Sequence, residues 1–218
     1  MDIIRDSLDL IGNTPLLLVK NLNTGPCNLY LKLESFNLGG SIKDRPAKNM
    51  IIEAEKKGLL KKGGTIVEAT AGNTGIALAI MAVKRGYKVV IIVPDKMTIE
   101  KVYHLKALGA EVIVARSDVV NGHPEYYLEI AKRIAKERKA FYINQFSNQA
   151  NIKSHIKDLG PEIYKQLDGK IHAFVAGVGT GGTISGIGKF LKSRNKKCEL
   201  VLADPKGSIL KDLIKTGK

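Results

Sequence analysis

Tryptophan is absent, aromatic residues are only 6% of the chain, and the two cysteines, Cys27 and Cys198, stand far apart. Two thiols without metal-type spacing make neither a disulfide framework nor a metal site, so both read as reduced core residues and no metal is expected. The longest uncharged apolar stretch runs from Ile76 to Val83, far short of the roughly 18–20 residues a membrane span needs. No transmembrane helix and no membrane partner are expected. The chain start places Asp2, Arg5 and Asp6 where a signal peptide would have a basic end and an apolar core, which reads as a cytoplasmic protein.

Acidic residues are also scarce relative to basic ones, giving a net charge of +14. Such an excess raises nucleic acid as a partner. Yet no more than two Lys or Arg residues are ever adjacent, and no aromatics interleave with them to form a base-stacking platform. The charge therefore reads as a lysine-rich solvated surface, and no nucleic-acid partner is expected.

What the chain does have is 218 residues, 44% of them hydrophobic, enough for one large domain or two small ones. Short Val/Ile-rich segments alternate with segments of helical apolar spacing. Strands are predicted at Asn28–Leu33, Thr65–Glu68, Lys88–Val93, Glu111–Ala115, Ala140–Asn144, Ala173–Ala176 and Leu200–Ala203. Helices are predicted at Ile42–Leu60, Thr74–Arg85, Thr98–Leu108, Pro124–Glu137, Lys157–Leu167 and Thr183–Ser193. This order of uncharged strands and helices predicts an α/β fold with parallel sheets covered on both faces. Ligands of such sheets bind in the loops that leave the strands.

Three loops stand out. Thr70-Ala71-Gly72-Asn73-Thr74-Gly75 joins a strand to a helix, and its small residues let N–H groups and hydroxyls reach an anion such as a carboxylate. It reads equally as a helix cap with turn glycines. Gly177-Val178-Gly179-Thr180-Gly181-Gly182-Thr183 has four glycines in six residues, more than a turn needs, and bare backbone of this kind curls around phosphate. The same loop also fits G-x-G-x-x-G, with Asp204 where a ribose-binding acid would stand, so a nicotinamide-dependent oxidoreductase remains open on this loop. The third loop, Asn37-Leu38-Gly39-Gly40-Ser41-Ile42-Lys43-Asp44-Arg45, sets a lysine at a helix start.

The three together, in this order, resemble the lysine, carboxylate and phosphate loops of the cysteine synthase and cystathionine β-synthase family of fold-type II pyridoxal-phosphate enzymes. Ile11-Gly12-Asn13-Thr14-Pro15-Leu16, Asn144-Gln145-Phe146, Gly160-Pro161-Glu162 and Asp204-Pro205-Lys206-Gly207-Ser208 extend the resemblance along the chain. It implies two open, mainly parallel αβα domains of the tryptophan synthase β type, the second incomplete. It also implies pyridoxal 5'-phosphate as cofactor. By resemblance, Lys43 forms the Schiff base and serves as acid and base at the α-carbon, a task for a lysine whose pKa is lowered by its site. Asn73 meets the cofactor's ring hydroxyl. Gly179, Thr180, Gly181, Gly182 and Thr183 hold its phosphate, and Thr70, Gly72, Thr74 and Gln145 take the substrate carboxylate.

The implied reaction is β-replacement on an activated serine by a sulfur nucleophile. With O-acetylserine and sulfide the product is cysteine; with serine or O-acetylserine and homocysteine it is cystathionine. Ala71 replaces the serine common in cysteine synthases, and Asp158-Leu159 replaces a threonine pair before Gly160. The resemblance further implies a smaller mobile domain at 36–148 and a larger one at 1–35 plus 149–218. It implies a homodimer, and serine acetyltransferase as a partner of some members. Family chains run about a hundred residues further and carry a hydroxyl for the pyridine nitrogen that has no match here. An inactive C-terminally truncated fragment is accordingly the alternative expectation.

Overall fold

The computed structural model describes residues 3–217. Asp2, on which the chain-start reading partly rests, and Lys218 lie outside the described residues. The chain divides into two compact units, Met1–Asn151 and Ile152–Lys218.

The first unit is built on a four-stranded parallel sheet. Its strands are β3 (Thr65–Ala69), β4 (Lys88–Pro94), β5 (Glu111–Ala115) and β6 (Phe141–Tyr142), in the order β5-β4-β3-β6. Helix α1 (Asp44–Lys56) precedes β3, and helices α2 (Asn73–Arg85), α3 (Ile99–Ala107) and α4 (Tyr127–Glu137) connect the strands in turn. The two-residue period of the strands sends alternate side chains to opposite faces. Ile66, Val89, Ile91 and Val93 pack with α1, α2 and α3, while Val67, Ala69, Val90 and Ile92 pack with Ile130, Ala131 and Ile134 of α4. Both faces are thus covered, as the uncharged strands predict. A separate antiparallel pair, β1 (Leu16–Leu18) with β2 (Tyr30–Lys32), precedes the sheet.

One buried ion pair ties the segment before α1 to that helix. The Arg45 guanidinium, on the first turn of α1, donates to both carboxylate oxygens of Glu34 at 2.7 and 2.9 Å. Thr14 Oγ1 donates to the same carboxylate at 2.6 Å, and Asn37 Oδ1 accepts the Gly12 N–H at 2.8 Å. Burial pushes the Glu34 carboxyl upward, but the hydrogen bonds from Arg45 and Thr14 and the guanidinium charge outweigh it and hold its pKa below the usual range. These contacts join Gly12, Thr14 and Glu34 to the start of α1 within the first unit.

In the second unit, β7 (Ala173–Ala176) pairs in parallel with β8 (Glu199–Leu202), and α7 (Gly182–Arg194) crosses between them. A second helical stretch consists of α5 (Gln149–Ser154), a π turn at His155–Leu159, and α6 (Gly160–Gln166); it starts eight residues before the predicted Lys157. Pro161 explains the interruption, because a proline inside a helix removes one N–H and crowds the preceding turn, and a widened turn relieves that crowding. The helix α8 (Leu210–Thr216) was not predicted, nor was β1. Both are short, and no residue of α8 is buried, so neither leaves a periodic apolar pattern. β6 is shorter than its predicted span because Asn144 turns the chain away at φ 51°. Cys198 is buried as expected; Cys27 is exposed, because it follows the turn at Thr24 and Gly25 instead of lying in a strand.

Two expected outcomes follow from this packing. A Cβ at Gly186 would lie 2.6 Å from both the Ile152 carbonyl oxygen and His155 Cβ, so Gly186→Ala should destabilise the chain by about 1–3 kcal/mol in urea unfolding. Removal of the Glu34 carboxylate by Glu34→Ala, leaving a buried guanidinium without its anion, should cost about 3–5 kcal/mol at neutral pH. Since the folded pKa of Glu34 is depressed, its contribution is present above the ordinary value of 4.5 and is lost as pH falls through the lower folded value. Unfolding curves taken down the acid range should show that loss in the parent and a correspondingly flatter profile in the variant.

Candidate functional site

At the carboxyl end of β3 the chain leaves the sheet through Thr70, Ala71 and Gly72 and enters α2 at Asn73. Gly72 is extended, with φ −136° and ψ −159°, and its N–H donates to Thr70 Oγ1 at 3.2 Å. Gly75 is glycine for space: a Cβ there would crowd Thr70, Ile91 and Leu105 at 3.1–3.3 Å. Thr74 is buried, and its hydroxyl donates to Gln145 Oε1 at 2.7 Å. Gln145 follows β6, the neighbour of β3, and its carbonyl accepts from the Asn151 amide at 3.0 Å. The structure therefore brings Thr70, Gly72, Thr74 and Gln145 together at the strand ends, in two hydrogen-bonded pairs. Asn73, the first residue of α2, is exposed beside it.

Lys43 sits immediately before α1, its N–H held by Ser41 Oγ at 3.2 Å. Among the described residues no carboxylate pairs with its Nζ, and burial alone lowers its pKa from the ordinary lysine value. The loop before it is fixed by Asp44, whose carboxylate accepts the Gly39 N–H. Burial raises the Asp44 pKa; the Gly39 hydrogen bond opposes that rise, and the Glu34 charge adds to it. A Cβ on Gly39 would lie 2.6 Å from the Asp44 carboxylate and 3.0 Å from Ile80 of α2, so this loop approaches α2 closely. Lys43 makes no hydrogen bond to the Thr70–Gln145 patch among the described residues.

The second unit carries the other loop. Gly181 adopts φ 79° at the start of α7, a left-handed conformation suited to glycine. Gly182 N–H donates to Thr180 Oγ1 at 3.3 Å, and Thr183 Oγ1 lies 3.3 Å from His155 Nε2. A Cβ on Gly179 would meet nothing within 4 Å. Neither packing nor a positive φ requires glycine at 179, so the loop keeps open space where a side chain would stand. That is what a phosphate at a helix N-terminus needs. Asp204, which a dinucleotide would use for ribose, instead accepts the Lys211 N–H through Oδ2 at 3.1 Å.

Each unit by itself offers a group that suits pyridoxal phosphate: in the first a half-buried, unpaired lysine amine for its aldehyde, in the second a glycine-rich loop at a helix start for its phosphate. Two residues beside these loops escaped sequence reasoning. His155 carries no local pattern that marks it. Glu68 does carry one, as the single charge in the strand Thr65-Ile66-Val67-Glu68-Ala69. It is fully buried, and burial raises its pKa to about 8. The N–H groups of Gln145 and Asn144 and the Gln145 side chain temper that rise without hydrogen-bonding to either carboxyl oxygen.

Comparison with known proteins agrees with this chemistry. The chain is 46% identical over 212 residues to a cystathionine beta-synthase of Apis mellifera, covering 95% of this chain and 42% of that protein. It is 44% identical over 212 residues to a cysteine synthase of Dictyostelium discoideum, covering 96% of this chain and 56% of that protein. The chain thus spans about half the length of these relatives. Among solved structures, a hydrogen sulfide-producing enzyme from Fusobacterium nucleatum is similar at 40% identity and a TM-score of 0.90, over 100% of this chain and 70% of that one. With residues 8–218 matching the family model as well, the chain belongs to the pyridoxal-phosphate dependent enzymes.

Proposed function

We propose that this chain carries the reactive lysine, carboxylate loop and phosphate loop of an enzyme that replaces the β-substituent of an activated serine with a sulfur nucleophile. Lys43 is the observation that carries the reading: a partly buried amine, free of any carboxylate partner and lowered in pKa, at the start of α1. A lysine lowered in this way carries more of its neutral, nucleophilic amine than an exposed one does. Names of similar proteins include both cystathionine beta-synthase and cysteine synthase, which supports a sulfur acceptor of either kind, sulfide or homocysteine, with serine or O-acetylserine as donor.

Pyridoxal phosphate supplies the electron sink for negative charge at the α-carbon. The chain supplies the rest. Thr70, Gly72, Thr74 and Gln145 bind the substrate carboxylate, which fixes the α-carbon in orientation. Lys43 Nζ takes the α-proton and holds it for return. Asn73 hydrogen-bonds the ring hydroxyl of the cofactor. Gly179, Thr180, Gly181, Gly182 and Thr183 hold its phosphate against the start of α7.

The same proposal extends to assembly. It includes a homodimer, serine acetyltransferase as a partner and a cytoplasmic location. Among the described residues no helix is long and apolar enough to cross a membrane. It also includes a mobile part at 36–148 set against 1–35 with 149–218, a division by motion and not by contact.

Borohydride fixation of pyridoxal phosphate followed by peptide mapping should label Lys43, and Lys43→Ala should take no label; a label on another lysine overturns the assignment. Gly179→Val should fill the open cradle and lower cofactor affinity at least about tenfold by fluorescence titration. Because nothing crowds that position and its φ is not left-handed, the thermal midpoint of the cofactor-free variant should stay at the parent value. Parent-like cofactor affinity would remove the phosphate role from this loop.

A further inference from the structure

The Glu68 carboxyl takes no part in the chemistry above, yet it stands two residues before Thr70 and beside Gln145. It is 0% exposed, and neither of its oxygens has a hydrogen-bond partner. The groups that face it are Asn144 and Gln145 from the segment after β6, Tyr142 from β6 itself, and Tyr127 from α4. None of these is a cation. Both tyrosine hydroxyls are pushed upward, chiefly by burial and further by the Glu68 charge, so they stay neutral and cannot compensate it.

An unpaired buried carboxylate is unfavourable, and the group takes up a proton instead. Its protonation state then bears on the neighbouring Gln145 amide. Gln145 Oε1 is occupied by the Thr74 hydroxyl at 2.7 Å, which leaves the two N–H bonds of Nε2 as the donors Gln145 can offer. A neutral Glu68 competes weakly for those donors, and an ionised one competes strongly.

On the reading of Thr70, Gly72, Thr74 and Gln145 as a carboxylate site, we propose that Glu68 is a positioning residue that gates that site by its proton. As a neutral carboxyl it leaves the Gln145 Nε2 donors to the substrate carboxylate; as an anion it claims them and repels the incoming charge. The site is competent below the Glu68 pKa of about 8 and fails above it. A group whose folded pKa is raised also destabilises the fold as pH climbs from its ordinary value towards the raised one, so this segment should loosen over the same interval.

The test is the side-chain amide resonance of Gln145 in the isotope-labelled parent, assigned by its loss in Gln145→Ala. It should shift with a midpoint near pH 8 and be pH-independent in Glu68→Gln, which keeps the shape and mimics the neutral acid. With pyridoxal phosphate added, L-serine affinity of the parent relative to Glu68→Gln should fall about tenfold between about pH 7 and 9. An amide that does not titrate in the parent, a measurement needing neither variant folding nor cofactor, overturns the proposal alone. An affinity ratio constant with pH overturns it too. No L-serine binding at any pH in either protein overturns the carboxylate-site reading and the gate with it.

Discussion

The Arg45 guanidinium, buried to 0% exposure at the start of α1, is the charge around which the lysine end of the molecule is arranged. A buried cation must be met by an anion in good geometry or it destabilises the fold by several kcal/mol. Glu34 meets it through two oxygens, and Thr14 and Asn37 attach to that carboxylate in turn. The segment from Gly12 to Asn37 is thereby pinned against the first turn of α1. Lys43 stands two positions before Arg45 and inherits this placement, as does the Gly39 loop that Asp44 holds.

The second constraint is the strand order. Because β3 lies between β4 and β6, the loop after β3 and the segment after β6 emerge side by side from the same edge of the sheet. Their junction is the Thr74–Gln145 hydrogen bond, and Glu68 is buried just behind it. Parallel strands put all such loops at one edge, and helix starts there present N–H donors. Two of the expected sites, at α2 and at α7, are built this way from unrelated residues. On the proposed reading, the first offers threonine hydroxyls to a small carboxylate and the second offers bare glycine backbone to a phosphate.

Several features of the chain were legible in one dimension. The Val/Ile strands, helices ending at Gly86 and Gly109, and the glycine excess at 177–182 all follow from contacts within a few residues, where propensity and periodicity operate. Boundaries moved where a local rule met a competing one. Pro124 does not open α4, because the chain turns through residues 121–126 first, and the helix starts at Tyr127. The Lys157 helix begins at Gln149, since a π turn lets it pass Pro161.

By itself, the sequence determined the α/β class, the order of the three loops and the identity of the lysine candidate, because each is written in residues that are neighbours along the chain. Tertiary structure decided the partners. Thr74 and Gln145 are 71 positions apart, and Arg45 and Glu34 are joined across a turn and a loop. The same glutamate side chain is a depressed carboxylate at 34 and a raised one at 68. The difference is whether a guanidinium or an apolar strand stands beside it, and only the folding of distant segments onto one another settles which neighbour a charge receives.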